Sequence, residues 1–145
     1  MSDCAIKQCR GREYYCTVEL TLHVIGGKWK PIILYHLGKE GTRRFGELKQ
    51  AMPNITQKML TQQLRELEHD GLIHRQVYAQ VPPKVEYSLS EFGGSIMPVM
   101  QSLCQWGQSY EERFQERGQT GRIVSPQADI GASCQICGIN PGAAS

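Results

Sequence analysis

At 145 residues, 40% hydrophobic and 21% charged, the chain has room for one domain plus tails and the composition of an ordinary globular protein. No run approaches the ~20 apolar residues of a membrane span, and Met1-Ser2-Asp3-Cys4 lacks the charged-then-apolar layout of a signal peptide, so a cytoplasmic location is expected. The net charge of +2 is too small to argue for a nucleic-acid partner by itself.

In chain order, residues 1–15 carry Cys4 and Cys9, several charges and no periodicity, and read as an N-terminal tail. From Thr17 to Ile25, the apolar Val18, Leu22 and Ile25 recur at helical spacing until Gly26-Gly27 stops them. A second helix is expected from about Lys28 to Leu37, with Trp29, Ile32, Ile33 and Leu37 on one face and a break bracketed by Gly38 and Gly41. A third, shorter helix starts near Arg44, turns Phe45, Leu48 and Met52 inward, and closes at Pro53.

The segment from Asn54 to Asp70 opens with two candidate N-caps, Asn54 and Thr56. Leu60, Leu64 and Leu67 then form an i, i+4, i+7 stripe, and Gly71 ends the helix. Beyond it the period changes. Residues 73–78 and 85–89 alternate loosely, and Pro82-Pro83 between them forbid continuous pairing, which gives a hairpin with a long loop. Ser90 can cap a last helix carrying Ile96, Val99, Met100, Leu103, Trp106, Tyr110 and Phe114, with Pro98 kinking it or marking its effective start. After Arg117 the composition turns to Gly, Ser, Gln and Pro.

The fold class that follows is mainly α with a small β-hairpin wing: a winged helix-turn-helix over residues 16–115, flanked by tails 1–15 and 116–145. In a helix-turn-helix the second helix lies in the major groove and its N-terminal residues reach base edges. If the leucines face the core, then Gln57, Lys58, Thr61, Gln62 and Arg65 face out, with Thr56 at the helix start. Gln pairs bidentately with adenine, Lys and Arg meet guanine or phosphate, and a Thr methyl meets a thymine methyl.

Arg43 and Arg44, at the start of the preceding helix, suit backbone contacts, and Lys84 near the wing tip suits a flanking phosphate or the minor groove. The charge distribution agrees. Between Lys28 and Arg65 eight bases stand against two acids, whereas from Glu66 to Glu116 eight acids stand against three bases. A soluble helix face is the plain alternative, but such faces usually carry Glu-Lys pairs, and Asn54 to Arg65 contains no acid. A winged helix serving only protein contacts would put acids or apolar residues there. No Gly-rich phosphate loop, GxSxG or nucleophilic set points to an enzyme.

Several segments together resemble the HxlR-type regulators, a bacterial branch of the MarR-like winged-helix superfamily. They are Cys16-Thr17-Val18-Glu19, Ile25-Gly26-Gly27-Lys28-Trp29, Arg44-Phe45-Gly46-Glu47-Leu48, Ile55 through Leu60, Gln63 through Glu68, Pro82 through Leu89, and Pro98 through Trp106-Gly107. The likeness covers about Cys16 to Phe114. It implies a transcription regulator that binds a palindromic operator in double-stranded DNA as a homodimer built from the first and last helices. The cysteine-bearing tails lie outside the family pattern.

The resemblance also implies that Cys16, just before the first helix, is a sensing thiol for an electrophile or oxidant: an aldehyde such as formaldehyde, a quinone, or a hypochlorite-type reagent. A helix N-terminus favours negative charge on such a sulfur, and Lys28 and Lys30 would add to this if close by; a structural cysteine buried at the dimer interface is the alternative. Cys104, on the apolar face of the last helix, reads as a small hydrophobe. No cofactor is expected. The competing possibility is a zinc- or redox-responsive regulator in which Cys134-Gln135-Ile136-Cys137, with Cys4 and Cys9, completes a tetrahedral site.

Overall fold

The structure, a computed structural model, describes residues 5–115, in two compact units divided between Ser95 and Ile96. The first unit opens with an element that the sequence did not announce. Residues 7–14, read above as part of an irregular tail, form an antiparallel hairpin of β1 (Lys7–Cys9) and β2 (Arg12–Tyr14), with Cys9 opposite Arg12. Its two-residue turn, Arg10-Gly11, has positive φ at both positions (48° and 78°). That geometry matches the twist of paired strands and suits glycine at the second position. Strands this short leave no alternation to detect in the sequence.

Helix α1 (Thr17–Ile25) follows with Cys16 at its N-cap, and α2 (Trp29–Glu40) after the Gly26-Gly27 break. Helix α2 runs through Gly38 and ends at Glu40, three residues beyond the expected Leu37, because Gly41 takes the positive φ of 80°. Arg43 and Arg44, at the entrance to the third helix as expected, also form a short strand, β3; Arg43 pairs with Tyr87 and Arg44 with Glu86. Helix α3 (Phe45–Ala51) then begins with the Arg44 amide donating to the Glu47 carboxylate at 2.7 Å.

Helix α4 (Gln57–His69) takes Thr56 as its cap, the hydroxyl accepting from the Met59 amide at 3.1 Å; Asn54 lies outside the helix. The wing is β4 (Ile73–Tyr78) paired antiparallel with β5 (Lys84–Leu89), in register from Ile73 opposite Leu89 to Tyr78 opposite Lys84. With β3 on the other edge of β5, the sheet has the order β3-β5-β4.

Ser90 caps only the short α5 (Glu91–Gly94). Its hydroxyl donates to the Gly71 carbonyl at 2.7 Å and accepts from the Gly93 amide at 2.8 Å. A Cβ at Gly93 would run into the Leu72 carbonyl, so the end of α4 and the start of α5 approach closely only because residue 93 is glycine. In the second unit a separate helix, α6 (Met97–Gln115), starts one residue before Pro98, where the missing amide proton costs nothing.

The core of the first unit is built from Ile33, Leu34 and Leu37 of α2, Leu48 of α3, Ile55, and Leu60, Leu64 and Leu67 of α4, all at most 2% exposed. Each such side chain contributes about 1.5–3 kcal/mol by burial. The apolar stripe of α1 is mostly outside this core: Ile25 is buried, but Val18 and Leu22 are 66% and 60% exposed. Among the described residues no helix is long and apolar enough to cross a membrane.

Candidate nucleic-acid interface

Helix α4 is pinned from behind, and its front is open. The leucine stripe fixes which residues face out: Gln57, Lys58, Gln62 and Arg65 are exposed, Thr61 is half-buried, and together they line one shallow groove. The Thr61 hydroxyl donates back to the Gln57 carbonyl at 2.8 Å, which leaves its methyl as the group offered outward. Neither Lys58 nor Arg65 has a salt-bridge partner among the described residues. All five groups are therefore placed together, as the leucine spacing requires.

The flanking bases divide. Arg44 is exposed at the end of β3 and lines a groove with Thr42, Gly46, Glu47, Gln50 and Glu86. Arg43, by contrast, is half-buried and its Nε donates to Glu40 at 3.0 Å, which commits it to joining α2 to the wing sheet. Lys84 lies near the hairpin tip as the first residue of β5, opposite Tyr78 in the last pair before the loop that carries the wholly exposed Val81. There it contacts Glu86 at 2.8 Å and lies 4.8 Å from the centre of the Tyr78 ring. That contact holds the Glu86 carboxyl below the usual carboxylate range.

Two features escaped the sequence reading. Arg75 of β4 is exposed and shares a groove with Thr61, Arg65, Glu68 and Tyr87, so a second guanidinium stands beside the front of α4. Its signal was weak, since strand residues 74 to 78 are all exposed and no alternation marks one of them. The second is a chain of ionic contacts behind α4. Lys30 Nζ, on a side chain only 8% exposed, lies 2.6 Å from Glu66 Oε2, and Gln62 Nε2 donates to Glu66 Oε1 at 3.1 Å. The hydrogen bond from Lys30, and next that from Gln62, holds the Glu66 carboxyl below its ordinary range.

One turn further on, Arg12 of β2 grips Asp70 with both terminal guanidinium nitrogens, at 2.9 and 3.0 Å. The hydrogen bond to Asp70 raises the Arg12 guanidinium further above its already high range. Arg10 donates to the His69 carbonyl at 2.6 Å, satisfying a free acceptor in the last turn of α4.

Cys16 is exposed and free at the start of α1, and Cys9 is exposed and free in β1. Lys28 Nζ lies 4.6 Å from the centre of the Trp29 ring, and Lys30 contacts Glu66. Cys104 of α6 is half-buried and disulfide-bonded, not a plain packing residue. Cys4, Cys134 and Cys137 lie outside the described residues, and within those residues no group of three or more His, Cys, Asp or Glu could hold a metal ion.

A short helix, a turn, a second helix with a polar front, and a two-stranded wing define a winged helix-turn-helix, the architecture of many DNA-binding regulators. Residues 24–115 match the HxlR-like helix-turn-helix family, and the chain belongs to it. It is 60% identical over 99 residues to the HTH-type transcriptional regulator YdeP of Bacillus subtilis, covering 68% of this chain and 77% of YdeP.

Among solved structures, the redox regulator HypR in its reduced form is 53% identical with a TM-score of 0.65, over 70% of this chain and 99% of HypR. The reduced form of the transcriptional regulator YodB of B. subtilis is 32% identical with a TM-score of 0.54, over 69% of this chain and 91% of YodB. The protein is a transcriptional regulator of the helix-turn-helix type.

Proposed function

We propose that the protein binds double-stranded operator DNA as a homodimer and that Cys16 switches this binding in response to an electrophile or oxidant. One observation carries the first part: the acid-free groove of Gln57, Lys58, Thr61, Gln62 and Arg65 on a helix whose other side is sealed by leucines. In this reading Thr56, Arg43, Arg44 and Lys84 contact the backbone around it, with Arg43 and Lys84 the weaker members because each already has an acidic partner. Residues 16–115 form the DNA-binding and dimerisation unit. Its partner-facing apolar groups are Val18 and Leu22 of α1 and Leu103, Trp106 and Tyr110 of α6, each more than half exposed in the single chain.

The second part rests on an exposed, free thiol at the N-cap of a helix whose apolar side chains are open to a partner. Addition of the sulfur to an aldehyde carbon or a quinone ring, or its oxidation, enlarges and polarises the group at the entrance to α1. That disturbs the dimer and with it the spacing of the two α4 helices. The likeness to HypR, a redox regulator solved in reduced and oxidised forms, favours this class of signal.

The test is operator affinity by fluorescence anisotropy, using DNA from upstream of the protein's own gene, before and after treatment with a quinone, formaldehyde or hypochlorite at fixed salt. Wild type should change affinity and Cys16→Ser should not. An equal response from both proteins would move the sensor away from Cys16, and no binding at low salt would contradict the regulator's DNA site itself.

A further inference from the structure

Along α4, from its front groove to its C-terminal end, runs a stripe of three polar residues at i, i+4 and i+8: Gln62, Glu66 and Asp70. Each of the two carboxylates is met by a base from another element, Glu66 by Lys30 of α2 and Asp70 by Arg12 of β2. The Lys30 side chain is 8% exposed and that of Asp70 2%, so these are built contacts and not surface pairings. Gln62 differs from the other two. It is exposed, belongs to the groove at the front of α4, and reaches back to Glu66 through its amide nitrogen.

We propose that Glu66, anchored by Lys30, is a positioning residue that fixes the Gln62 amide as an adenine reader. This rests on the reading of α4 as the helix that meets DNA. An ionised carboxylate only accepts hydrogen bonds, so Glu66 can be met by the amide's NH2 and not by its oxygen. The flip of the amide, free in most exposed glutamines, is therefore decided. One N–H of Gln62 is spent on Glu66; the carbonyl oxygen and the remaining N–H stay available. Those two groups are the acceptor and donor that pair with adenine N6 and N7 in the major groove.

A swinging glutamine would have to be ordered at the moment of binding, which costs conformational entropy; a tethered one is ordered in advance. Lys30 is needed because it holds one oxygen of Glu66 and keeps the group ionised and in place, leaving the other oxygen for Gln62.

The experiment is selection of binding sites from a double-stranded DNA library with randomised half-sites. It is followed by affinity measurements on the selected site and its single-base variants at two salt concentrations. Four proteins are compared with wild type: Gln62→Ala, Lys30→Met, Lys30→Met/Glu66→Met, and Lys58→Ala/Arg65→Ala. The double methionine variant guards against misfolding, since replacing both members of a buried pair is tolerated better than stranding one.

Wild type should prefer adenine at one half-site position by on the order of tenfold or more, the worth of a bidentate base contact. Gln62→Ala and both Lys30 variants should lose that preference at that position alone, with the salt slope unchanged. If Gln62→Ala loses it and the folded double methionine variant keeps it, the positioning role is overturned while the DNA face stands. If Gln62→Ala keeps the whole preference profile but Lys58→Ala/Arg65→Ala weakens binding, Gln62 is no base reader, and the proposal again falls alone. If none of the four changes DNA binding, the reading of α4 as the DNA face fails with it.

Discussion

Helices α4 and α6 both carry apolar side chains at helical spacing, yet they use them in opposite ways. In α4, Leu60, Leu64 and Leu67 are at most 1% exposed. In α6, Leu103, Trp106 and Tyr110 are 51%, 68% and 53% exposed, with Trp106 and Tyr110 stacked at 5.4 Å between ring centres. The lesson is that periodicity marks a face that must be covered without saying by what. In α4 the chain's own core does the covering. In α6, as in α1, the single chain leaves an apolar surface that the proposed dimer would bury.

The sharpest way to break this contrast is to damage both stripes. Leu64→Ala should lower unfolding free energy by about 2–5 kcal/mol, the range for emptying a packed leucine site, as read by urea denaturation. Trp106→Ala should instead shift the protein from dimer toward monomer in sedimentation equilibrium, with a concentration-dependent loss of stability. If Trp106→Ala leaves a dimer at micromolar concentration, the α6 face is not the contact.

Next in size is the pair behind α4. Lys30→Met strands Glu66 and should cost on the order of 2–3 kcal/mol, less than for a sealed pair because the Glu66 side chain is 39% open to water. The pH dependence has a definite sign. The Glu66 carboxyl is depressed in the folded state by Lys30 first and Gln62 second, so its contribution is complete above the ordinary carboxylate range. That contribution fades as pH falls through the lowered folded value. In an acid titration wild type should therefore lose stability relative to Lys30→Met/Glu66→Met as pH falls; a wild type that gains on the variant in acid would contradict the assignment.

How much of this was legible in the sequence follows from the reach of each signal. The leucine stripe of α4, its Thr56 cap and the two long wing strands were visible because each is written in neighbouring residues. So was the grouping of Gln57, Lys58, Thr61, Gln62 and Arg65, since one helix places all of them. The β1–β2 hairpin was not visible: three-residue strands show no alternation, and what docks the hairpin is Arg12 meeting Asp70 across 58 positions. Lys30 with Glu66 and Arg43 with Tyr87 are likewise products of folding. Gly38 misled because a glycine that merely continues a helix looks the same in sequence as the Gly41 that ends it.

The smallest expected effect separates the front of α4 from the wing. Lys84→Ala should weaken DNA binding only slightly, because Glu86 already neutralises the ammonium, whereas Lys58→Ala should lower affinity for all sequences and reduce the salt slope by about one. Equal losses from both would shift the weight of binding toward the wing.

The claim that the open face of α4 is the DNA site is tested most directly by Lys58→Ala/Arg65→Ala. Fluorescence anisotropy on DNA from upstream of the protein's own gene, at two salt concentrations, supplies the measurement. The account predicts a folded variant whose affinity falls tenfold or more and whose salt dependence is shallower by about two released counterions. A folded variant with wild-type affinity and slope would contradict it.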